Sequence, residues 1–275
     1  MTDPDLLEPH LALWALTPEA PPVQTQTSVV QLVRRGAERL VLKLITHADE
    51  AGQHAALAHF GGRGAVRLVD WDGTALLMER AQPGEPLVRL VREGRDDQAT
   101  AFAGEVMARL HAQSAPPPAG LRTVESWGRA FARTGPAAIE RGVEPGLIDR
   151  AQASWAELSA SQGPRVLLHG DLQHYNILSD ARRGWLAIDP KGVIGEPAFE
   201  PGGLLRNPVG ELRLYASPQI IARRTALLCE RLVLDPRRVL AWAFSQAVLS
   251  ALWSIEDGGE PGQGVAMARA CLPLL

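Results

Sequence analysis

The stretch LLHGDLQHYNIL, residues 167 to 178, sets Asp171 and Asn176 in a D-x-x-x-x-N spacing directly after His169-Gly170. Downstream, the segment GWLAID ends on a second acid, Asp189. Two carboxylates and an amide oxygen suit phosphoryl transfer. One carboxylate accepts or orients a substrate hydroxyl, while a carboxylate and an amide hold Mg²⁺ on a triphosphate. These are hard oxygen donors, the kind Mg²⁺ prefers. Each residue alone has an ordinary explanation, since Asp171 and Asn176 could cap a turn and Asp189 could end a hairpin. Three together at these spacings favour chemistry. The apolar flanks, Leu167, Leu168, Ile177, Leu178, Leu186 and Ile188, can bury the supports and leave the polar residues in a cleft.

Upstream, Lys43 sits in VLKL between apolar neighbours. A lysine in a hydrophobic strand is costly unless its charge is paired. Contact with nucleotide phosphates, together with an acid on the following helix, would pair it. Glu50 is the candidate acid and Asp49 is adjacent to it. The plain alternative is a lysine on the solvent face of an edge strand.

The elements around these residues fall into two groups. TQTSVVQLVRR and RLVLKLI read as strands joined by GAE, and AVRLVDWDGTALLMERA reads as two strands around an Asp-Gly turn. ADEAGQHAALAHF has helical spacing, with Ala51, Ala55, Leu57 and Phe60 on one face. AQPGEPL (81–87) reads as a linker, after which the pattern is helical: DDQATAFAGEVMARLHA, further helices over 123–160, and helices to the C-terminus. Between them lie the polar stretch, a hairpin NILSDARRGWLAID and an irregular PKGVIGEPAFEPGG. The expected architecture is α+β: a small β-rich lobe over residues 1–81 and a larger, mainly helical lobe over 82–275.

The totals agree with a soluble globular protein. The 275 residues carry 46% hydrophobic and 21% charged residues, and a net charge of −3 gives no reason to expect a nucleic-acid partner. Of the 28 basic residues only two are lysine, Lys43 and Lys191; the other 26 are arginine. Codon bias explains an arginine excess, and the two surviving lysines stand out against it. Cys229 and Cys271 lack metal-type spacing and read as reduced thiols. MTDPDLLEPHLALW has no basic n-region, so no signal peptide is expected. VLAWAFSQAVLSALWSI (239–255) is broken by Ser245, Gln246 and Ser250 and reads as a buried helix rather than a membrane span. The expected location is cytoplasmic, and composition says nothing about oligomeric state.

VLKL, a helix Glu, LLMERA, LHGDLQHYNIL and LAIDPKG, in that order, resemble the aminoglycoside phosphotransferases, which have a protein-kinase-like two-lobe fold. GWLAIDPKGVIGEPAFEPGGLLRNP and AVLSALWSIEDG are similar to the streptomycin 6-phosphotransferase and hydroxyurea kinase branch. The likeness runs from about Val29 to Gly258. It implies an ATP- and Mg²⁺-dependent transfer of the γ-phosphate to a hydroxyl of an aminoglycoside such as streptomycin, or to hydroxyurea, as in antibiotic resistance. By resemblance, Asp171 is the catalytic carboxylate, Asn176 and Asp189 are Mg²⁺ ligands, Lys43 holds the α- and β-phosphates and Glu50 positions Lys43. The backbone from Glu79 to Ala81 meets adenine. The loop near QTQTS lacks a GxGxxG, which leaves Thr27 and Ser28 as phosphate-side candidates. Gln173 replaces a histidine that many relatives carry there, in a place expected to stabilise the loop. Lys191 could approach phosphate or point to solvent.

Streptomycin carries two guanidinium groups, so its pocket should offer carboxylates that pair bidentately with them. The acids near the expected cleft are Glu196, Glu200, Glu256, Asp257 and Glu260, with Glu200 open to a bracing role and IEDGGEPG to a solvated turn. Asp171, Glu196, Glu256 and Asp257 are the substrate-side expectation. Two other readings stay open: a kinase of this fold acting on an ordinary metabolite such as an amino alcohol or a sugar, and a non-catalytic nucleotide-binding module.

Overall fold

The structure, a computed structural model, describes residues 6–275; the side chain of Asp49 also lies outside the described set. After a short helix α1 (Glu8–Leu13) come β1 (Thr17–Pro18), β2 (Val23–Gln24), β3 (Ser28–Arg35) and β4 (Glu38–Ile45). Helix α2 (Gln53–Phe60) then leads to β5 (Leu68–Asp72) and β6 (Ala75–Glu79). The sheet order is β1-β3-β4-β6-β5, all antiparallel, with β2 on β3.

The period-two pattern of these strands divides their side chains between two destinations. Val29, Val33, Leu40, Leu42, Ala75 and Leu77 pack with Leu7, Leu11 and Trp14 of the α1 region into a small separate core. Val41, Lys43, Leu76 and Met78 alternate with them and take the opposite face. Lys43 therefore points where the sheet meets the rest of the chain. The solvent-facing alternative for it does not hold.

The larger lobe begins with β7 (Pro83–Pro86), followed by α3 (Val88–Arg92), α4 (Asp96–His111), β8 (Arg122–Thr123), α5 (Val124–Trp127), α6 (Arg129–Glu140) and α7 (Pro145–Ala160). Then come β9 (Val166–Leu168), the hairpin β10 (Ile177–Asp180) and β11 (Gly184–Ala187), and β12 (Val193–Gly195). The helices α8 (Pro201–Leu205), α9 (Pro218–Leu232), α10 (Pro236–Glu256) and α11 (Gly262–Cys271) complete it.

Three differences from expectation bear on the site. The segment expected to be a linker is β7, paired antiparallel with β10, so the connection is fastened to the hairpin that carries Asp189. The stretch expected to be irregular contains β12, which pairs with β9 and β8 and fixes the approach to His169. In α2 the buried face is Gln53, Ala56, Leu57 and Phe60, and Glu50 stands on a 3₁₀ turn (Ala48–Glu50) before the helix.

Helix α10 is long and apolar enough to cross a membrane by composition, but two thirds of that window is buried in the protein. It is the axis of the lobe, packed on α6, α7, α8, α9 and α11. Trp242 is fully buried on it, edge-on to Trp155 at 5.2 Å and Phe199 at 5.1 Å. Helix α11 lies so close that a Cβ at Gly264 would sit 2.5 Å from the Ala247 carbonyl and 2.7 Å from the Ala251 nitrogen. Both are backbone atoms and cannot step aside. Gly264→Ala is therefore expected to destabilise the protein by about 1–3 kcal/mol through overpacking. Chemical denaturation measures this, and unchanged stability would mean the two helices can separate freely.

Candidate active site

The strand β9 delivers His169, Gly170 and Asp171 into a loop held from beneath by one buried carboxylate. Glu200 accepts the His169 N–H at 2.6 Å and the Gly170 N–H at 2.9 Å, and its Oε2 lies 3.4 Å from His111 Nε2. Burial pushes this carboxyl's pKa up, but His111, His169 and the Gly170 N–H outweigh it and hold the pKa below its ordinary value. His169 is itself spent on the loop: its Nε2 bonds the Ile188 carbonyl at 2.8 Å, and Nδ1 accepts the Asp171 N–H at 3.2 Å. Gly170 has φ +85°, and a Cβ there would meet Val193 at 2.9 Å and Trp127 at 3.1 Å. Gln173, in the place of the expected histidine, accepts the Tyr175 N–H at 2.9 Å and caps the 3₁₀ turn His174–Asn176. Its stabilising role is as expected.

Asp171 is left partly open in this loop, with a third of its side chain exposed. Burial raises its pKa against the opposing charges of Arg206, His169 and Lys191. Asn176 donates its amide to the Asp171 carbonyl at 2.9 Å and to Oδ2 at 3.3 Å, which leaves the Asn176 Oδ1 as the free acceptor. Arg206, from LLRNP, approaches Asp171 Oδ1 at 3.5 Å and bonds Gln246 at 2.9 Å.

Glu50, Lys43, Lys191, Thr27, Asp189 and Gln53 form one connected group of six side chains. Lys43 donates to Glu50 Oε2 at 2.6 Å and also contacts Asp189 Oδ1. Lys191 donates to Glu50 Oε1 at 2.9 Å, and Thr27 donates to the same oxygen at 2.5 Å. Gln53 contacts Asp189 Oδ1. Burial and the charge of Asp189 push the Glu50 pKa up, and the hydrogen bonds from Lys43, Thr27 and Lys191 bring it below the ordinary value. Burial likewise opposes the Asp189 carboxylate, and the Lys43 and Lys191 charges keep it ionised. Asp189 takes φ +62°, a left-handed backbone that turns its carboxylate out of the hairpin strand.

Between these groups and the sheet opens a cleft of about 620 Å³, lined by Lys43, Glu50 and Asp189 at one end and by Val30, Val41, Met78 and Ala81 elsewhere. The volume is that of a ligand pocket. Ala81 lines it, and its N–H has no protein partner among the described residues. The Glu79 side chain turns away to Arg67, at 2.6 Å, and to Arg183. Oxygen donors for a hard cation are present in Asn176 Oδ1 and the Asp189 carboxylate, whose Oδ2 makes no protein hydrogen bond among the described residues. Two such donors with nucleotide oxygens and water suit Mg²⁺.

Most of the residues expected at the edges of the site already have protein partners. Thr27 and Ser28 line the cleft, but the Thr27 hydroxyl is given to Glu50 and the Ser28 hydroxyl bonds Thr25 at 2.8 Å. Glu196, expected on the acceptor side, is buried, with Oε1 bonded to Arg238 at 2.6 Å and Trp242 at 2.5 Å, and Oε2 to the Gly163 N–H. Glu256 is held by Arg133, at 2.8 Å through each oxygen, and by Thr134. Glu260 pairs with Arg141. Asp257, exposed where α10 ends, is the acid of this group without a protein partner among the described residues. Gln53 and Arg206 were missed, whereas Lys191, left open between phosphate and solvent, is turned inward onto Glu50. A polar Gln53 at i, i+3, i+4, i+7 with Ala56, Leu57 and Phe60 was the readable signal for the first.

A shallow sheet lobe, a helical lobe and a cleft with lysine, carboxylates and an amide between them define a kinase-like fold. The profile of the aminoglycoside/hydroxyurea antibiotic resistance kinases matches residues 13–258, and the chain belongs to that family. It is 32% identical to a streptomycin 3''-kinase of Klebsiella pneumoniae over 89% of this chain and 91% of that one. It is 35% identical to a hydroxyurea phosphotransferase of Kitasatospora aureofaciens, over 98% of this chain and 78% of that one. A thermostable mutant of an aminoglycoside phosphotransferase, solved as a ternary complex with AMP-PNP and hygromycin B, superposes with a TM-score of 0.66 at 15% identity, over 97% of this chain and 98% of that one. The expected α+β, two-lobe kinase-like fold is the observed one.

Within the loop that carries Asp171, His174 is fully buried with neither ring nitrogen hydrogen-bonded. Burial, then the Arg224 charge, pushes its pKa from 6.5 to about 3. Below pH 6.5 the unfolded chain therefore takes up a proton that the folded chain refuses. Folding stability falls as pH drops from 6.5 toward 3, by about 1.4 kcal/mol per unit from this group alone. Urea denaturation at pH 7 and pH 5 should show about 2 kcal/mol more loss for the native chain than for His174→Leu. Equal losses would show that the imidazole is protonated in the folded state.

Proposed function

We propose that the chain transfers the γ-phosphoryl group of ATP to a hydroxyl of a cationic aminoglycoside such as streptomycin, or to hydroxyurea. The observation that carries this is that Lys43, Glu50 and Asp189 line one cleft, and that Lys191, which lines it too, is close enough to the paired Asp171 and Asn176 for its charge to act on Asp171. Residues 1–81 would hold the nucleotide and residues 82–275 the catalytic groups and the acceptor. Adenine would lie among Val30, Val41 and Met78 and accept the Ala81 N–H. Lys43, oriented by Glu50, would bind the α- and β-phosphates. Asn176 and Asp189 would hold Mg²⁺, whose chemistry there is to neutralise charge on the phosphates.

Asp171 then orients the acceptor hydroxyl and takes its proton. The acceptor oxygen forms a bond to the γ-phosphorus as the bond from that phosphorus to the β,γ-bridging oxygen breaks and ADP leaves. Raising the Asp171 pKa brings a carboxylate closer to the range useful for a base. The intact set argues against a non-catalytic module. The relatives' names supply the two acceptors. The carboxylates argue for the smaller acceptor. Two guanidinium groups ask for several free acids, and among the acids named for that pocket only Asp257 is unengaged. Hydroxyurea makes no such demand. Buried unpaired Cys229 and Cys271 suit the reducing, ATP-rich cytoplasm as the place of reaction.

The protein with Mg²⁺-ATP and a panel of hydroxyurea, streptomycin, other aminoglycosides, amino alcohols and sugars should give phosphorylated hydroxyurea or streptomycin, detected by mass spectrometry. Product from a metabolite alone would overturn the acceptor. Asp171→Ala should fold as the native chain does and lose about 10²–10⁴ in kcat; a fully active variant would remove Asp171 from the mechanism.

A further inference from the structure

Both lysines of the chain end on the two oxygens of the same carboxylate, Lys43 on Glu50 Oε2 and Lys191 on Glu50 Oε1. They come from opposite lobes, 148 residues apart in sequence. The other 26 basic residues are arginine, and they make the ion pairs of the surface and of the helical lobe. A chain so biased keeps an ammonium where a compact charge with three rotatable donors does what a planar fork does not. Oxygens of a phosphoryl group that changes geometry during transfer are such a target.

The position of Lys191 agrees. Its backbone N–H donates to the His169 carbonyl at 2.7 Å, so the residue is pinned to the loop that carries Asp171. Its side chain lines the nucleotide cleft and feels Asp189, Glu50 and Asp171. Glu50 occupies one of the three ammonium donors in the structure, and two remain. Lys43 stands between Glu50 and Asp189 on the sheet side; Lys191 pairs with Glu50 and feels the charges of both Asp189 and Asp171. We propose that Lys191 is a further catalytic residue that contacts the γ-phosphoryl group as it passes to the acceptor. It thus complements Lys43, which serves the α- and β-phosphates.

The inference rests on the phosphotransferase reading, and nucleotide binding tests the two separately. ADP and AMP-PNP differ in the group that Lys191 is assigned. Calorimetry with Mg²⁺ should show that Lys191→Met weakens AMP-PNP by at least about tenfold, the worth of a charged hydrogen bond. ADP should change by less than about twofold, and the midpoint of thermal unfolding should hold. Lys191→Arg should recover part of the AMP-PNP affinity. If Lys191→Met weakens both nucleotides equally, the lysine only braces Glu50 and the proposal falls. If it changes neither, there is no contact and the proposal falls as well. A native chain that binds neither nucleotide overturns the phosphotransferase reading itself, and this inference with it.

Discussion

The site depends on a single buried carboxylate. Glu50 is almost wholly removed from water and would be strongly destabilising there with its charge unpaired. Lys43, Lys191 and Thr27 satisfy it, and each comes from a different element. The same pairing answers the cost of Lys43, an ammonium on a sheet face otherwise made of Val41, Leu76 and Met78. Neither charge is stable in its place without the other. The geometry of the sheet, the turn before α2 and the DPKG segment must therefore be correct together.

The lobes are fastened at more than this point. Gly64 accepts the Ala187 N–H, and Ala187 in turn accepts that of Val66, while within the larger lobe β7 joins β10 directly after the connection. Beside them the α2 turn lies against the DPKG segment, where Gly52 and Gly192 allow backbones within ordinary contact. A Cβ on Gly192 would sit 3.1 Å from that of Ala56 and 3.3 Å from the Gly52 carbonyl, at a φ of +67° that disfavours one in any case. These contacts set the distance at which Lys191 can reach Glu50. The catalytic loop is supported by an analogous arrangement, with Glu200 in place of a metal or water beneath the His169 and Gly170 amides.

What was legible in the sequence was local. Asp171, Asn176 and Asp189 declare themselves because a loop and a hairpin fix their separation, and chain spacing carries that information. Lys43 declares itself because strand alternation puts it among apolar neighbours. The engagement of the acids expected around the acceptor was not legible, for the opposite reason. Whether Glu196 is free depends on Arg238 and Trp242, more than 40 residues away, and whether Glu256 is free depends on Arg133 on another helix. A carboxylate's sequence context does not reveal a partner supplied by tertiary packing. Thr27 lines the cleft, but that its hydroxyl is given to the buried Glu50, 23 residues on, is again set by packing. The strand at residues 83–86 was hidden by its prolines, which here sit where β7 has only one neighbour in its sheet.

The division between the two cations follows from the same economy. Arg224 is completely buried, and its fork is used in full: Nε and Nη2 meet Asp96, while Nη1 and Nη2 also reach the Asn207 and Leu214 carbonyls. That fixes the segment following Arg206 to α4 and α9, and so fixes the guanidinium beside Asp171. A planar group with five donors suits a task whose partners never move. In the cleft the partners must change. Asp189 Oδ1 is in contact with Lys43 in this structure, yet Asp189 also belongs to the donor set that a cation on the phosphates would draw upon. A flexible ammonium can give up one carboxylate oxygen and take a phosphate oxygen without leaving Glu50. The lysines thus stand where bonds have to be exchanged, and the arginines where they have to be kept.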